Sequence, residues 1–348
     1  MMDSIIMIFA SFIMFLVLVE LVKKDNEMRE KEEKRIFGVY RTDEFKELYD
    51  KLCNMHAKKL DNIRKEIQKV SIILAVLGTI CGISIMFFYY SFVLKKANFI
   101  IFFIISVIMG GLIFIYNKKR NDIIKKYSLI YKKEVISEFV KLISDKLSYS
   151  TKPTNSVGIE REYKNIGFDD HYDKIFCGDY IEGYIAESFA RFTEIHLQSY
   201  DNKNHTYRTF FTGIIGMVSC KNIDSYIKIV RNKNDFYLKK SDNLIEMDDE
   251  EFEKYFDVQT GDKILATRLL TADIMQCLVE FYNKYNIRFE IVFKSRTMYI
   301  KFHTGEMFEP NWNENTMNEF RLARYYGIFK FVIELSQKIN QTMQDLEL

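Results

Sequence analysis

The sequence predicts an α+β protein: a helical transmembrane region with three spans, then a cytoplasmic, mainly antiparallel β-sheet domain with flanking helices. Long uncharged apolar runs occur only within the first 116 of the 348 residues. From about residue 190 onward, apolar and polar residues alternate in short segments, which is typical of half-buried strands. No period of 20–50 residues repeats along the chain, so a repeat architecture is not indicated.

Composition excludes several classes of protein. The 50 Lys and Arg residues nearly balance the 48 Asp and Glu residues, and the formal net charge is +2. We therefore predict no nucleic-acid partner, because a chain that neutralises many phosphates carries a marked basic excess. The five cysteines have an odd count and no Cys-x-x-Cys spacing, which favours reduced thiols over a disulfide framework or a zinc site.

Three apolar runs predict the membrane spans. They cover residues 4–19 with an extension to 22, residues 70–94 and residues 99–116. A bilayer core needs about 20 apolar residues in a helix, with roughly 17 as the lower limit, so the first run is marginal. No Lys or Arg precedes this run and no small-residue cleavage site follows it, which favours a retained anchor over a cleaved signal peptide. We expect an anchor helix over 1–22 and a transmembrane hairpin over 70–116.

The distribution of basic residues predicts the orientation. The stretch 23–69 carries fourteen Lys and Arg residues, the amino-terminal tail carries none, and the link at 95–98 carries two. Because cytoplasmic loops are enriched in Lys and Arg, we predict a multi-pass protein of the cell membrane. Its amino terminus lies outside, and residues 23–69 and 117–348 are cytoplasmic. The second and third runs contain no ionisable acid or base, which argues against a channel or transporter.

The segment before the second span predicts an amphipathic helix. Within the charged stretch 23–69, apolar residues recur at three- and four-residue steps from 45 to 70. This stripe has three candidate contacts: a helix from 119–148, a second copy of the protein, or the membrane surface. Besides the lipid bilayer, the expected partners are therefore a protein or a homo-oligomer bound through 45–70. His56 lies on the stripe and is interpreted as a packing residue.

The remaining chain predicts a juxtamembrane helix over 117–150, a linker over 149–158 and an α+β domain over 151–348. The domain's expected elements are a hairpin of 192–200 with 206–220, a strand at 226–231, a short helix at 246–255, a strand at 256–260, a helix through 285 with Thr271 as its N-cap, a hairpin of 287–293 with 298–302, and a closing helix at 315–344.

Four acidic residues are the strongest candidates for chemistry: Asp179, Glu182, Glu187 and Glu194. Paired carboxylates can perform acid–base catalysis or hold a divalent metal, so one hypothesis is a membrane-bound hydrolase or transferase that uses the 179–194 region. The alternative is that Gly178 and Gly183 bracket a turn whose acids face solvent or pair with Lys; we favour this alternative.

No other pattern indicates a reaction. The histidines 171, 196, 205 and 303 are scattered, and neither a metalloprotease motif nor a phosphate-binding loop is present. Trp312 is interpreted as a lid on the core, with an exposed binding aromatic as the alternative. We therefore expect no catalytic, cofactor-binding or metal-ligating residues. The function predicted is that of a membrane-anchored cytoplasmic binding or scaffold module, not an enzyme.

Four short sequence segments occur in the same order as in a bacterial membrane-associated family, the domain of unknown function 3137, which the chain therefore resembles. They are FKELYDKL at 45–52 with Arg64 and Lys65, GDYIEG at 178–183 with Thr193 and Glu194, FTGIIG at 211–216, and DEEFEKYF at 249–256 with Asp262 and 268–271. The resemblance implies a two-span membrane hairpin and a cytoplasmic α+β domain, to which the first span is an addition. It implies no reaction and no catalytic residues.

Overall fold

A computed structural model describes residues 42–94, 99–168, 170–185, 187–232, 243–312 and 317–345. The predicted anchor at 1–22, the charged stretch up to residue 41 and the link at 95–98 lie outside the described residues.

Two long helices form the first part of the structure. Helix α1 spans Asp43–Val93, and the Thr42 hydroxyl accepts a hydrogen bond from the backbone N–H of Phe45 at 3.2 Å. Helix α2 spans Phe99–Ile143 and contains a π-helical turn at Tyr131–Ile136. The predicted continuity of 45–70 with the second apolar run is confirmed. The predicted helix over 119–148 is confirmed up to residue 143.

The amphipathic stripe packs within the chain. Phe45, Leu52, Leu60 and Ile67 are buried in one core cluster with the carboxyl-terminal part of α2. Of the three candidate contacts for the stripe, the structure shows the one with the second helix of the same chain. The exposed face of α1 over 45–70 carries the charged side chains.

The halves of α1 and α2 that lie outside this core cluster are apolar and exposed. Of the most apolar 18-residue segment in each helix, 11% is buried in α1 and 0% is buried in α2. The two helices run antiparallel and contact each other through the Ser84 and Ser106 hydroxyls, 2.8 Å apart, and through stacked Phe87 and Phe102. By length and composition, both helices could cross a membrane.

The domain is built on a nine-stranded, fully antiparallel sheet with the order β1-β2-β3-β4-β9-β8-β5-β7-β6. Its strands are β1 Leu147–Ser150, β2 Lys174–Ile185, β3 Ser188–Asp201, β4 Thr206–Ser219, β5 Ile227–Arg231, β6 Leu244–Ile245, β7 Phe256–Thr260, β8 Phe289–Lys294 and β9 Thr297–Phe302. The α+β class is confirmed, as are both predicted hairpins. In the second hairpin, Ser295 and Arg296 have positive φ angles, as a tight two-residue turn requires.

The described residues of the domain form five further helices: α3 Ser156–Ile166, α4 Glu250–Tyr255, α5 Lys263–Leu269, α6 Ala272–Tyr285 and α7 Glu319–Asp345. The prediction of a closing helix and of a helix ending at Tyr285 is confirmed. Thr271 does occupy the N-cap position of α6, although its side chain makes no capping hydrogen bond. Helices α6 and α7 lie with α1 and α2 on one face of the sheet, and α3 lies on the other face.

The predicted linker at 149–158 is wrong at both ends. Leu147–Ser150 is an edge strand paired with β2, and Ser156 begins α3, where the Asn155 side chain accepts from the N–H of Gly158 at 2.8 Å. The turn-forming residues mark only the five positions between these elements, because Ser and Asn also serve as helix caps.

The predicted turn between Gly178 and Gly183 is also wrong, since both glycines lie inside β2. Gly178 is part of a β-bulge where the register with β3 shifts between Cys177 and Tyr180. Gly183 has a φ of +151°, and a Cβ there would lie 1.9 Å from the carbonyl oxygen of Lys146. Glycine is required here because the chain before β1 approaches the backbone of β2 closely.

Replacing Gly183 with alanine is expected to destabilise the protein by about 1–3 kcal/mol, because the added Cβ meets backbone and the φ angle disfavours an L side chain. The check is the melting temperature of the detergent-solubilised chain, followed by circular dichroism. Gly261→Ala is the matched control, since a Cβ at that position meets no atom within 4 Å. Equal melting temperatures for the two variants would contradict the prediction.

Candidate functional site

Five charged or hydroxyl-bearing side chains meet where α2, the sheet and the segment after β9 come together. We call this group the junction cluster: Lys132, Tyr149, Asp179, Glu194 and Glu309. Lys132 lies in the π-helical turn of α2, Tyr149 in β1, Asp179 in the bulge of β2, Glu194 in β3, and Glu309 beyond β9.

Lys132 links helix α2 to the sheet. Its Nζ lies 2.9 Å from Oδ2 of Asp179 and also binds Oε1 of Glu309. The Tyr149 hydroxyl donates to the other oxygen of Asp179, and the Ser128 hydroxyl donates to Oε2 of Glu309 at 3.1 Å. The Asp179 side chain is 1% exposed and that of Lys132 is 15% exposed. Burial of this kind makes an ion pair costly to break.

Glu194 is the least satisfied member of the cluster. The residue is 4% exposed, and its Oε1 lies 2.9 Å from Nε2 of His196. Its Oε2 has no hydrogen-bond partner among the described residues. The pKa of Glu194 is raised to about 8, mainly because the carboxyl is buried and secondly because the charge of Asp179 is close to it. Glu194 therefore holds a proton at neutral pH, which reduces the number of buried negative charges around Lys132.

The backbone around the cluster is irregular at three places. The π-helical turn positions Lys132, the β-bulge positions Asp179, and Phe308 has a φ of +61°, unusual for a bulky residue. The Phe308 N–H donates to the Tyr325 hydroxyl at 3.1 Å, which holds this conformation. Such irregularities concentrate at functional sites, so their coincidence with the cluster makes this junction the candidate site.

A cleft of about 290 Å³ opens beside the cluster and shares Glu309 with it. Its charged and polar walls comprise Glu306, Glu309, Arg321, Arg324 and Tyr325. A guanidinium nitrogen of Arg321 donates to the backbone carbonyl of Glu309 at 2.9 Å, which fixes one wall. A cleft with both signs of charge suits a small polar molecule, since each charged group of that molecule would find a counter-charge.

The four acids singled out in the sequence do not form one site. Asp179 and Glu194 converge in the junction cluster. Glu182 lies on the opposite face of β2, where its carboxylate accepts a hydrogen bond from Tyr180 at 2.8 Å, and Glu187 is exposed between β2 and β3. The expectation that these acids face solvent or pair with Lys is met by Asp179, which pairs with Lys132, and by the exposed Glu187. It is wrong for Glu194, which is buried and lies against His196.

Sequence reasoning missed the contributions of Lys132, Tyr149 and Glu309. Lys132 and Glu309 are 177 positions apart in the chain, and no spacing rule joins them. Among the other candidates, His196 contacts Glu194, His303 lies 3.4 Å from Glu290, and Trp312 is partly buried against the core, as expected for a lid. Within the described residues, no group of His, Cys, Asp or Glu side chains is arranged to hold a metal ion. All five cysteines are unpaired, as predicted.

A second buried ion cluster has a structural role. Lys301 of β9 is 1% exposed, and its Nζ lies 2.9 Å from Asp170 and 3.0 Å from Glu290. The Tyr163 hydroxyl also donates to Asp170. These bonds attach α3 and the residues that follow it to the sheet face opposite α1 and α2.

Comparison with known proteins supports a resemblance to one family. The model of the family described as "Protein of unknown function (DUF3137)" matches residues 209–341. The match includes two of the four short segments identified in the sequence, at 211–216 and 249–256. It extends from β4 into α7, and it contains Glu309 and the cleft but not Lys132, Asp179 or Glu194. No curated protein and no solved structure matches the chain.

Proposed function

We propose that this chain is an integral protein of the cell membrane whose α+β domain serves as a cytoplasmic binding or scaffold module, without enzymatic activity. The observation that carries the proposal is the division of α1 and α2 into two halves. In each helix, one half is buried in the core of the domain and the other half is an apolar surface that the described protein leaves uncovered. A bare apolar surface of this length is suited to a hydrocarbon environment.

The antiparallel pairing of the two helices supports the proposed topology. The part of α1 before residue 70 and the part of α2 after residue 116 both join the same domain, so they share one side of the membrane. The basic residues that flank the apolar halves assign that side to the cytoplasm. Residues 23–69 and 117–348 are then cytoplasmic and the amino terminus is outside.

The junction cluster and the cleft support the binding role. Glu309 lines the cleft and also binds Lys132 of α2. A molecule bound in the cleft would therefore contact a residue that is attached to the proposed membrane helix. Glu182 lies on the opposite face of β2 from Asp179 and Glu194, so the three acids do not converge in one pocket, which does not favour a hydrolase or transferase built on them. A protein partner or a second copy would bind the charged face of α1 over 45–70, because the apolar stripe is already buried.

Membrane insertion is tested by flotation with vesicles and by resistance to alkaline carbonate extraction. We expect the wild-type chain to stay in the membrane fraction. A variant with Ile104, Val107 and Ile108 changed to Asp is expected to lose insertion of the hairpin, because each charge at the bilayer centre costs about 3 kcal/mol. These side chains are all more than half exposed. The matched control changes the same three residues to Leu, and carbonate extraction of the wild type would refute the proposal.

Topology is tested by fusing alkaline phosphatase or green fluorescent protein at residue 96 and at residue 348. We expect phosphatase activity only at 96 and fluorescence only at 348. Phosphatase activity at 348 would invert the proposed orientation.

A further inference from the structure

A basic zone lies where the apolar halves of α1 and α2 end. On α2, the exposed Lys118 and Lys119 follow directly after the apolar run and the exposed Lys126 lies about two helical turns further on. On α1, the exposed Lys65 and Lys69 precede the corresponding run. Because the helices are antiparallel, these residues lie at the same end of the hairpin. They lie between the apolar surface and the domain.

The α2 part of this zone forms a shallow groove that combines charge with apolar surface. It is lined by the three lysines of α2 together with Phe114, Ile115, Asp122 and Ile123. Phe114 is 73% exposed and Ile115 is 60% exposed, on the membrane side of the lysines. Lys65 is paired with Asp61 at 2.8 Å, but no ion pair or hydrogen bond within the described residues engages the side chains of Lys118, Lys119 and Lys126.

We propose that this groove binds the headgroup of an anionic phospholipid, with the lysines on the phosphate and an acyl chain along Phe114 and Ile115. The proposal rests on the membrane insertion proposed above and names the lipid class that the inserted protein prefers. Three cations against one acid, Asp122, leave the groove net positive, which complements a phosphodiester that carries no compensating choline. The order of the two surfaces along the helix matches that of a lipid, with apolar contacts toward the bilayer and charges toward the cytoplasm.

The size of the expected preference follows from the charges. Each Lys near an anionic membrane surface contributes roughly a fivefold gain in affinity. Three lysines therefore predict a preference of about 100-fold for an anionic over a zwitterionic lipid at low salt, and less at physiological ionic strength.

The experiment reconstitutes the full chain into vesicles of phosphatidylcholine and phosphatidylglycerol at a 4:1 ratio, and separately into pure phosphatidylcholine. After flotation and mild solubilisation, native mass spectrometry counts the lipids that stay bound. We expect the wild type to float with both vesicles and to retain phosphatidylglycerol and phosphatidylcholine in a ratio at least tenfold above the 1:4 ratio of the mixture. A variant with Lys118, Lys119 and Lys126 changed to Gln should float equally well and retain the two lipids close to their 4:1 ratio.

The matched control changes Lys141, Lys254 and Lys263 to Gln, which removes the same charge from exposed positions of the domain and should leave the preference intact. Flotation without enrichment of phosphatidylglycerol overturns the lipid site alone, whereas failure to float with either vesicle overturns membrane insertion as well. Displacement of the bound lipid by equimolar glycerol phosphate would assign the groove to a free phosphate instead and overturn the proposal.

Discussion

Changing Lys132 to Met is expected to destabilise the protein by about 3–5 kcal/mol, the range measured when one partner of a buried ion pair is removed. The substitution leaves the Asp179 carboxylate, with a side chain 1% exposed, without its cation. It also removes one of the two contacts between α2 and Glu309, the other being the hydrogen bond from Ser128. The check is the free energy of unfolding in detergent, from urea titration followed by circular dichroism.

Two further variants separate loss of charge pairing from loss of helix packing. Lys133→Met is the matched control, because Lys133 lies in the same π-helical turn and is exposed, so its effect should stay within about 0.5 kcal/mol. The double variant Lys132→Met with Asp179→Asn should recover part of the loss, since the amide keeps the bond from Tyr149 without a buried charge. A double variant as unstable as the sum of the two single variants would refute the ion pair as the source of stability.

The second large effect is a pH dependence caused by Glu194. Burial raises the pKa of its carboxyl to about 8 in the folded protein, against the ordinary value of 4.5. Between these values the folded state holds a proton that the unfolded state releases. The contribution of Glu194 to the free energy of unfolding is therefore largest below pH 4.5. It decreases as the pH rises from 4.5 to 8 and is lost above pH 8. The total change is on the order of 5 kcal/mol.

The groups around Glu194 must be considered with it. Asp179 from β2, Glu306 and Glu309 from the segment after β9 and Lys132 from α2 all act on its carboxyl. Asp179 also has a pKa raised by burial and contributes in the same direction. The effect of Glu194 is therefore isolated by comparing variants rather than by reading the wild-type curve alone.

Glu194→Gln, which mimics the protonated side chain, is expected to flatten the fall in melting temperature between pH 5 and pH 8.5. The variant should match the wild type near pH 5 and exceed it at pH 8.5. Glu182→Gln on the opposite face of β2 is the control and should keep the wild-type profile. A Glu194→Gln variant with an unchanged slope would show that Glu194 is ionised across this range.

Elements defined by local pattern were predicted well. The stripe from Phe45 to Ile67 repeats at helical spacing, and the β8–β9 hairpin alternates on either side of two turn residues, so each element carries its own signal. Strand β2 carried a misleading signal, because its two glycines resemble turn residues. They are needed instead for a bulge and for the close approach of Lys146, and both depend on neighbouring segments.

The candidate site was predicted only in part, for a related reason. Asp179 and Glu194 attracted attention as acids close in sequence. Glu182 and Glu187 were grouped with them, although Glu182 lies on the other face of β2 and Glu187 lies in the turn after it. A strand places alternate residues on opposite faces, so sequence proximity does not decide which carboxylates meet. The residues that complete the cluster, Lys132, Tyr149 and Glu309, carried no signal in the sequence.

The sequence by itself determined the α+β class, the apolar hairpin of 70–116, the amphipathic character of 45–70 and the basic residues that flank the hairpin. These properties depend on residue types at short spacing, which hydrophobic burial and helix or strand periodicity convert directly into structure. Only the tertiary structure decided that the stripe packs on α2, that 147–150 is a strand, and that Lys132 meets Asp179 and Glu309. These contacts join residues from 30 positions apart, for Ser150 with Tyr180, to 177 positions apart, for Lys132 with Glu309. Their energy depends on burial and exact distance, which only the folded chain defines.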